Sequence, residues 1–394
     1  MYRIGGPAAA ILALVLGVTP VAASSWTPPA AVSSSHDAFL SYARSLAVSG
    51  GVAHLVDARS SGALDYRRSS DGGQTWTSAL TLAKPSGRYP IVLGDPAIAA
   101  LNSLVVLAYR AHDATAAYLI VRVSHDGGLN WDAPRTIAHV VTSRRIGEQS
   151  VAISPAGIFV AWTNRVTGSI IVQRSTDQGA SFKRAHRIGV TTMTFAANDP
   201  TFTDGLIGLA ASGSLVDVAW SPSGNGAADS IVLSRSVNGG VSYLAPTTIL
   251  AKPSFGFPAL SAAGAYLAGE VEATDGSVIA LSSKTAGATV AAHRLAGPGS
   301  VTTLTNESVA VDSSGTIVFS YVRNDASGVA PGNILVRRSS DGGDHWMPFE
   351  TVAAHVPWVQ EVATAFVGGK TLVAWTSCSG PTSASCDIFE SRGP

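Results

Sequence analysis

The octet SSDGGQTW at Ser69–Trp76 decides the fold, because variants of it recur along the chain. The further copies are SHDGGLNW at Ser124–Trp131, STDQGASF at Ser175–Phe182, SVNGGVSY at Ser236–Tyr243 and SSDGGDHW at Ser339–Trp346, with a degraded copy, SKTAGATV, at Ser283–Val290. Successive copies begin about 47 to 61 residues apart, and self-similarity at such a period is typical of propellers, solenoids and repeat arrays.

Each octet has the chemistry of a tight turn between two strands. Its Asp or Asn can accept hydrogen bonds from nearby backbone N–H groups, its glycines permit positive φ, and its last aromatic residue can return to the core. An alternating strand precedes each octet, and a strongly apolar strand lies earlier still. The seven apolar runs span residues 51–58, 103–110, 157–164, 214–221, 265–272, 316–323 and 371–378. No segment has the periodicity of an amphipathic helix, so the chain is predicted to be all-β.

The apolar runs predict seven units of four antiparallel strands. The last unit stops at IFESRGP, where its octet would begin, whereas the segment SSWTPPAAVS near the N-terminus has the pattern of a strand that follows an octet. We therefore expect the N-terminal strand to complete the last blade of a seven-bladed β-propeller, with six blades as the alternative. Ring closure would remove the open sheet edges that otherwise promote aggregation.

The S-x-D-x-G-x-T-W pattern resembles the Asp-box of sialidases and related propellers, and the resemblance covers nearly all of residues 24–394. It implies that the octets lie on the outer rim, between the third and fourth strands of a blade, and that their aspartates are structural. Sialidases have six blades and hold the substrate carboxylate with three arginines. Their Phe/Tyr-Arg-Ile-Pro motif is absent after residue 23, which weakens the case for sialidase activity.

The N-terminal segment and the two cysteines indicate the compartment of the protein. Arg3, the apolar run Ala8–Val18 and Val21-Ala22-Ala23 form the pattern of a secretory signal, so residues 1–23 are predicted to be removed and residues 24–394 to form one domain. A retained anchor is the alternative. Cys378 and Cys386 are expected to form a disulfide in an oxidising compartment, with two free thiols as the alternative.

The predicted mouth of the propeller gathers charged and aromatic residues. Four blades place a carboxylate 14 residues before an aromatic residue: Asp95 with Tyr109, Glu148 with Trp162, Glu307 with Tyr321, and Glu361 with Trp375. Arginines stand nearby, at Arg44, Arg110, Arg165 and Arg323. The equivalent position in the fifth blade is Phe257, and in the fourth it is Asp199 or Asp204.

Two interpretations of these repeated positions stay open. In the structural one, the carboxylates pair with arginines and the aromatic residues pack between sheets. In the functional one, carboxylates bind sugar hydroxyls, aromatic faces stack on sugar rings, and arginines hold acidic groups. The four carboxylates are then also candidates for glycosidase catalysis, which needs two carboxyl groups beside the scissile bond.

The sequence predicts a secreted, monomeric propeller that recognises a carbohydrate or another extracellular ligand at its mouth. A sialidase-like glycoside hydrolase and a non-enzymatic protein-interaction scaffold are the alternatives. Formal net charge is zero, with 26 acidic and 26 basic residues, which argues against nucleic-acid binding and a polybasic membrane anchor. No cofactor or resident metal is expected, and calcium at the acidic mouth has no loop motif to support it.

Overall fold

The computed structural model describes most of the chain after residue 25. The described residues are 26–40, 42–92, 95–141, 146–191, 207–222, 230–251, 259–272, 277–284, 289–297, 308–324, 331–380 and 385–394. Within them the helical structure is one 3-10 turn, Tyr42–Ser45, and no described helix is long and apolar enough to cross a membrane.

The remaining elements are short strands. In chain order they are β1 (Ala30–Ala31), β2 (Leu46–Ser49), β3 (Val52–Ala58), β4 (Leu64–Ser69), β5 (Leu80–Ala83), β6 (Ile91–Val92), β7 (Ala97–Leu101), β8 (Leu104–His112), β9 (Ala116–Ser124), β10 (Arg135–Val141), β11 (Ile146–Ser154), β12 (Gly157–Asn164), β13 (Ser169–Ser175), β14 (His186–Val190), β15 (Gly208–Ser212), β16 (Leu215–Trp220), β17 (Ser230–Ser236), β18 (Thr247–Ala251), β19 (Ala259–Ala263), β20 (Tyr266–Glu272), β21 (Val278–Ser283), β22 (Ala291–Ala296), β23 (Ser308–Val311), β24 (Ile317–Asn324), β25 (Gly332–Ser339), β26 (Glu350–Val356), β27 (Val359–Val367), β28 (Lys370–Cys378) and β29 (Cys386–Gly393).

These strands form seven antiparallel sheets, which confirms the predicted seven-bladed propeller. Blades 1 to 6 each use four strands consecutive in the chain, beginning with β2, β7, β11, β15, β19 and β23, and the short β6 adds to blade 2 beside β8. Blade 7 has the order β1-β29-β28-β27, so the N-terminal strand completes it, as expected. The first strands of neighbouring blades contact one another around the whole ring.

The core lies between neighbouring blades because each sheet has two apolar faces. One cluster joins Val106 and Leu119 of blade 2 to Val151 and Val160 of blade 3, and comparable clusters fill the other junctions. The predicted apolar runs become the second strand of each blade, such as β12, where Ile158 and Phe159 are fully buried. A strand that is covered on both faces has a continuous run of apolar residues in its sequence, rather than alternating apolar and polar residues.

The octets form a repeated hydrogen-bonded turn between the third and fourth strands. In the first copy, Ser69 Oγ donates to Asp71 Oδ1 over 2.8 Å and accepts from the Gly73 N–H, while the Thr75 N–H and hydroxyl donate to Asp71. The same serine and aspartate contacts recur in the copies that begin at Ser124, Ser175 and Ser339. These donors lower the pKa of Asp71 to about 2.

The octets also join each blade to the preceding one. Gly128 has a φ of 86°, and a Cβ atom there would overlap the hydroxyl of Tyr66 in blade 1. The next aromatic residue of that octet, Trp131, packs edge-on against the same Tyr66 ring, with the ring centroids 5.1 Å apart. The glycine therefore allows the backbone to approach a large side chain of the neighbouring blade.

We expect Ser69→Ala to lower the free energy of unfolding by about 1–2 kcal/mol, because it removes two hydrogen bonds at a buried site. Urea denaturation measures the change. The matched control is Ser70→Ala, since Ser70 is exposed in the same octet. Equal losses in both variants would contradict a structural role for the serine at position 69.

Ring closure depends on the junction of blade 7 with the N-terminal strand. Strand β1 pairs with β29 through only two residues, Ala30 with Glu390 and Ala31 with Phe389. Backbone bonds extend the contact on both sides, from the Thr27 N–H to Arg392 and from the Val32 N–H to Ile388. The structure also contains the disulfide between Cys378 and Cys386, which links β28 to β29 in this blade.

Two carboxylates are buried where blade 7 packs against blade 1. Glu390 is 1% exposed, both of its oxygens lack a hydrogen-bond partner, and burial raises its pKa to about 7. The guanidinium of Arg392 lies 3.5 Å from Glu390 and only partly offsets that burial. Burial likewise raises the pKa of Asp57 to about 7, although the buried Arg67 binds it directly. Burial therefore shifts the protonation equilibrium of both carboxyls toward the neutral form.

We expect Glu390→Gln to stabilise the protein at pH 8. The pKa of this carboxyl rises from 4.5 to about 7 on folding, so its contribution to stability is lost as the pH increases from 4.5 to about 7 and changes little above that. Urea denaturation should show a gain of roughly 1–3 kcal/mol at pH 8 and a much smaller one near pH 5. Asp132→Asn, which removes an exposed carboxylate, is the control, and a gain that does not vary with pH would contradict the prediction.

Candidate functional site

One face of the ring, called the upper face here, carries the candidate residues. It is the face on which the first strand of each blade begins and the second strand ends. Asp95 precedes β7, Glu361 lies near the start of β27, and Arg165 follows the end of β12. The propeller topology therefore brings residues that are far apart in the sequence to one face.

The 3-10 turn Tyr42–Ser45 lies across the upper end of the hub. It contacts the first strands of blades 2, 6 and 7, namely β7, β23 and β27. From it, Arg44 Nη1 donates to the backbone carbonyl of Gln149 in blade 3. Ser45, the last residue of the turn, is fully buried. The chain thus spans the centre of the predicted mouth and links blade 1 to blade 3.

Asp95 and Arg110 form a buried ion pair beside this turn. Arg110 Nη2 donates to Asp95 Oδ2, and Arg110 Nη1 donates over 2.9 Å to the carbonyl of Ile146 in the next blade. The Gln149 amide completes the network by donating to the Asp95 carbonyl over 2.6 Å. Arg110 is 2% exposed, so it braces blades 2 and 3 and holds Asp95 rather than facing solvent.

Arg165 approaches the same short segment from blade 3 itself. A Cβ atom on Gly147 would lie 3.0 Å from Thr163 Cβ and 3.5 Å from Arg165 Cγ, so the glycine lets this side chain lie against β11. The pairing of β11 with β12 is irregular between Ile146 and Gln149. Arg44 and Arg110 thus donate to carbonyls of residues 146–149, and the Arg165 side chain lies beside Gly147 of the same segment. We call these three arginines, from three consecutive blades, the arginine shelf.

The four aromatic residues proposed to stack on a ligand are buried between sheets. Tyr109 is 3% exposed, Trp162 4%, Tyr321 0% and Trp375 1%. Each belongs to the packing between adjacent blades, and burial raises the pKa of Tyr109 to about 12. They leave almost no ring surface for a sugar at the mouth, so they occupy the positions that the structural interpretation gives them.

The other candidate acids and arginines are placed to different extents. Glu361 is half-buried in β27, and Arg323 is exposed in β24, where its backbone pairs with Asn333. Glu148 belongs to β11, but its side chain is outside the description, as are the whole of Glu307, Phe257, Asp199 and Asp204. A catalytic pair of carboxylates stays a prediction. The described residues hold no group of three metal-binding side chains, and calcium stays untested.

Sequence reasoning missed Gln149 and the 3-10 turn. Gln149 is fully buried and joins blade 2 to the shelf, but the repeat alignment singled out the neighbouring Glu148 because it considered only charged residues. A one-turn helix has no periodicity that a sequence pattern could show. The only signal was the arginine itself, at the position that carries an acid in other blades.

Comparison with known proteins supports the fold. No protein-family model matches the chain, and no curated protein matches it. Among solved structures, a polysaccharide lyase, an ulvan lyase bound to -[GlcA(1-4)Rha3S]-, has a TM-score of 0.59 at 9% identity, covering 89% of this chain and 93% of its own.

Two other solved structures resemble the chain over most of its length. A lectin from Burkholderia pseudomallei has a TM-score of 0.58 at 14% identity, covering 87% of this chain and 96% of the lectin. A Hadza microbial sialidase has a TM-score of 0.50 at 13% identity, covering 84% of this chain and 73% of the sialidase. At these identities the similarity shows a shared propeller architecture.

We expect Asp95→Ala to lower the free energy of unfolding by about 3 kcal/mol, because it leaves the buried Arg110 without its carboxylate. The double variant Asp95→Ala/Arg110→Met should recover part of this loss, since no unpaired charge then remains buried. Urea denaturation of the wild type, both single variants and the double variant measures the coupling. Additive losses would contradict a direct interaction between the two side chains.

Proposed function

We propose that this protein is a secreted propeller of the Asp-box kind that binds an acidic carbohydrate at the arginine shelf on its upper face. The convergence of Arg44, Arg110 and Arg165 on residues 146–149 carries the proposal. Guanidinium groups suit carboxylate or sulfate groups because they offer several N–H donors in one plane. The structural similarity to a lyase, a lectin and a sialidase supports a carbohydrate ligand.

The three arginines contribute differently to this proposed site. Arg110 already donates to Asp95 and Ile146 and is buried, so it positions the shelf. Arg44 and Arg165 are half-buried, and an acidic group of the ligand would approach their guanidinium groups. An anion bound between partly buried cations is attracted more strongly than one at an exposed surface, because solvent screens it less.

Binding is better supported than sialidase-like hydrolysis. The tyrosines considered as nucleophiles, Tyr109 and Tyr321, are buried, and the pKa of Tyr109 is raised to about 12. A buried tyrosine with a raised pKa is a poor nucleophile. Asp95 is held in an ion pair with Arg110. Fluorogenic glycosides, with Glu361→Gln as the inactive comparison, test the hydrolase alternative directly.

Secretion belongs to the same proposal. Residues 1–23 have the signal pattern, and the disulfide between Cys378 and Cys386 suits an oxidising compartment. Mass spectrometry of the protein recovered from the culture medium should find an N-terminus at Ser24. A cell-associated protein that begins at Met1 would contradict cleavage.

We expect acidic glycans to bind the wild-type protein and Arg44→Met and Arg165→Met each to weaken binding by about tenfold, the effect of losing one charged hydrogen-bond partner. A glycan array identifies ligands, and calorimetry at two salt concentrations measures their affinity. Binding should weaken as salt increases, since the attraction is ionic.

Arg187→Met is the matched control, because Arg187 is an exposed arginine in β14, the outer strand of blade 3, to which Arg165 also belongs. It should bind as the wild type does. Equal losses in all three arginine variants would indicate a general charge effect and would refute the shelf as the site. Failure to bind any acidic glycan would favour the protein-scaffold alternative.

A further inference from the structure

A groove of about 510 Å³ lies between blades 6 and 7, separate from the arginine shelf. One wall is the end of β26 with Pro357, and the other is Trp26–Pro29, which leads into β1. Phe389 of β29 and Trp375 of β28 lie at its base. At this junction β1 has only two residues, whereas β26, the outer strand of blade 6, has seven.

The N-terminal wall is held in place by a specific set of contacts. Trp26 Nε1 donates to Glu350 Oε2 over 2.9 Å, and Arg338 Nε donates to the other oxygen of that carboxylate over 2.9 Å. The Arg338 guanidinium also lies over the Trp26 ring, 5.3 Å from its centroid. The indole is therefore fixed from both its edge and its face, so this wall is formed before any ligand arrives.

The opposite wall has an unusual backbone that is also held by hydrogen bonds. His355 has a φ of 54° and Trp358 a φ of 36°, in the left-handed region that non-glycine residues seldom adopt. The His355 N–H donates to Asn333 Oδ1 over 3.0 Å, and Ser377 Oγ donates to the Pro357 carbonyl over 2.7 Å. Such outliers persist where the surroundings enforce them, and they are enriched at ligand sites.

The lining of the groove indicates the chemistry of its occupant. The described lining residues include no Lys, Arg, Asp or Glu, and His355 is the titratable side chain among them. Three prolines, Pro28, Pro29 and Pro357, and the ring of Phe389 supply apolar faces. Ser377 Oγ, which donates to Pro357, can still accept a hydrogen bond, whereas Thr27 Oγ1 already accepts from the Arg392 N–H. Apolar walls with a few polar groups and a volume of a few hundred Å³ are typical of small-ligand sites.

We propose that this groove is a second carbohydrate site, which binds a neutral sugar ring. The C–H face of a pyranose would pack on Phe389 and the prolines, and its hydroxyls would meet His355 and donate to Ser377 Oγ. A charged sugar would lose hydration without gaining an ionic partner, so the groove excludes it. This inference rests on the proposed carbohydrate function, but it uses residues that the arginine shelf does not.

Saturation-transfer NMR and calorimetry with cellobiose and xylobiose test the proposal, with digalacturonate as the charged comparison. The two neutral disaccharides should receive saturation at their ring C–H protons. The affinity for digalacturonate should be unchanged by a substitution that fills this groove. Ala354→Phe places a ring in the groove from an exposed position on β26, and it should weaken neutral-sugar binding at least about tenfold.

Thr351→Phe is the matched control, because Thr351 is exposed on the same strand but does not line the groove. It should leave neutral-sugar binding within about twofold, and so should Arg44→Met, which alters only the shelf. If the wild-type protein binds neutral sugars but no acidic glycan, the shelf proposal is refuted and the groove proposal is supported. Any of three results would overturn the groove proposal. They are no binding of either neutral disaccharide, an equal loss of neutral-sugar affinity in Thr351→Phe and Ala354→Phe, and binding of a hexaproline peptide in place of both disaccharides.

Discussion

Everything in this structure depends on the lateral packing of one sheet against the next. Each sheet carries apolar side chains on both faces, so neither face can be left open to water without losing hydrophobic stabilisation. The solution is a ring in which every blade has two neighbours. That ring closes only because residues from the two ends of the chain meet in blade 7, where Ala30–Ala31 pair with Phe389 and Glu390.

Buried charged groups lie beside this closure. Glu390 and Asp57 are buried at the junction of blades 7 and 1, and both have raised pKa values. The stretch that closes the ring is short, and the disulfide between Cys378 and Cys386 adds a covalent link beside it. The groove beside Phe389 lies next to the same short β1 strand.

The upper face shows how a propeller converts repeated positions into different roles. Asp95 and Arg110 lock two blades together, whereas Arg44 leaves its own blade to reach the carbonyl of Gln149. The aromatic residues that share the repeat register are wedges between sheets. A repeated residue thus has a repeated structural task, and the candidate ligand-binding groups are those that depart from the repeat, such as Arg44 on its 3-10 turn.

The sequence by itself determined the all-β class, the number of blades and the completion of blade 7 by the N-terminal strand. It could do so because the octets at Ser69, Ser124, Ser175 and Ser339 are local: their serine, aspartate and glycine contacts lie within a few residues. The apolar runs could be recognised for a similar reason, because the second strand of every blade is buried on both faces.

Only the tertiary structure decided which polar residues stay partly exposed on the upper face and which are buried between the blades. The burial of Tyr109 and Trp162, the ion pair of Arg110 and the groove beside Phe389 all depend on how close neighbouring blades approach. That distance follows from contacts between residues far apart in the chain, such as the hydrogen bond from Arg110 to the carbonyl of Ile146, 36 positions later, and no local pattern encodes it.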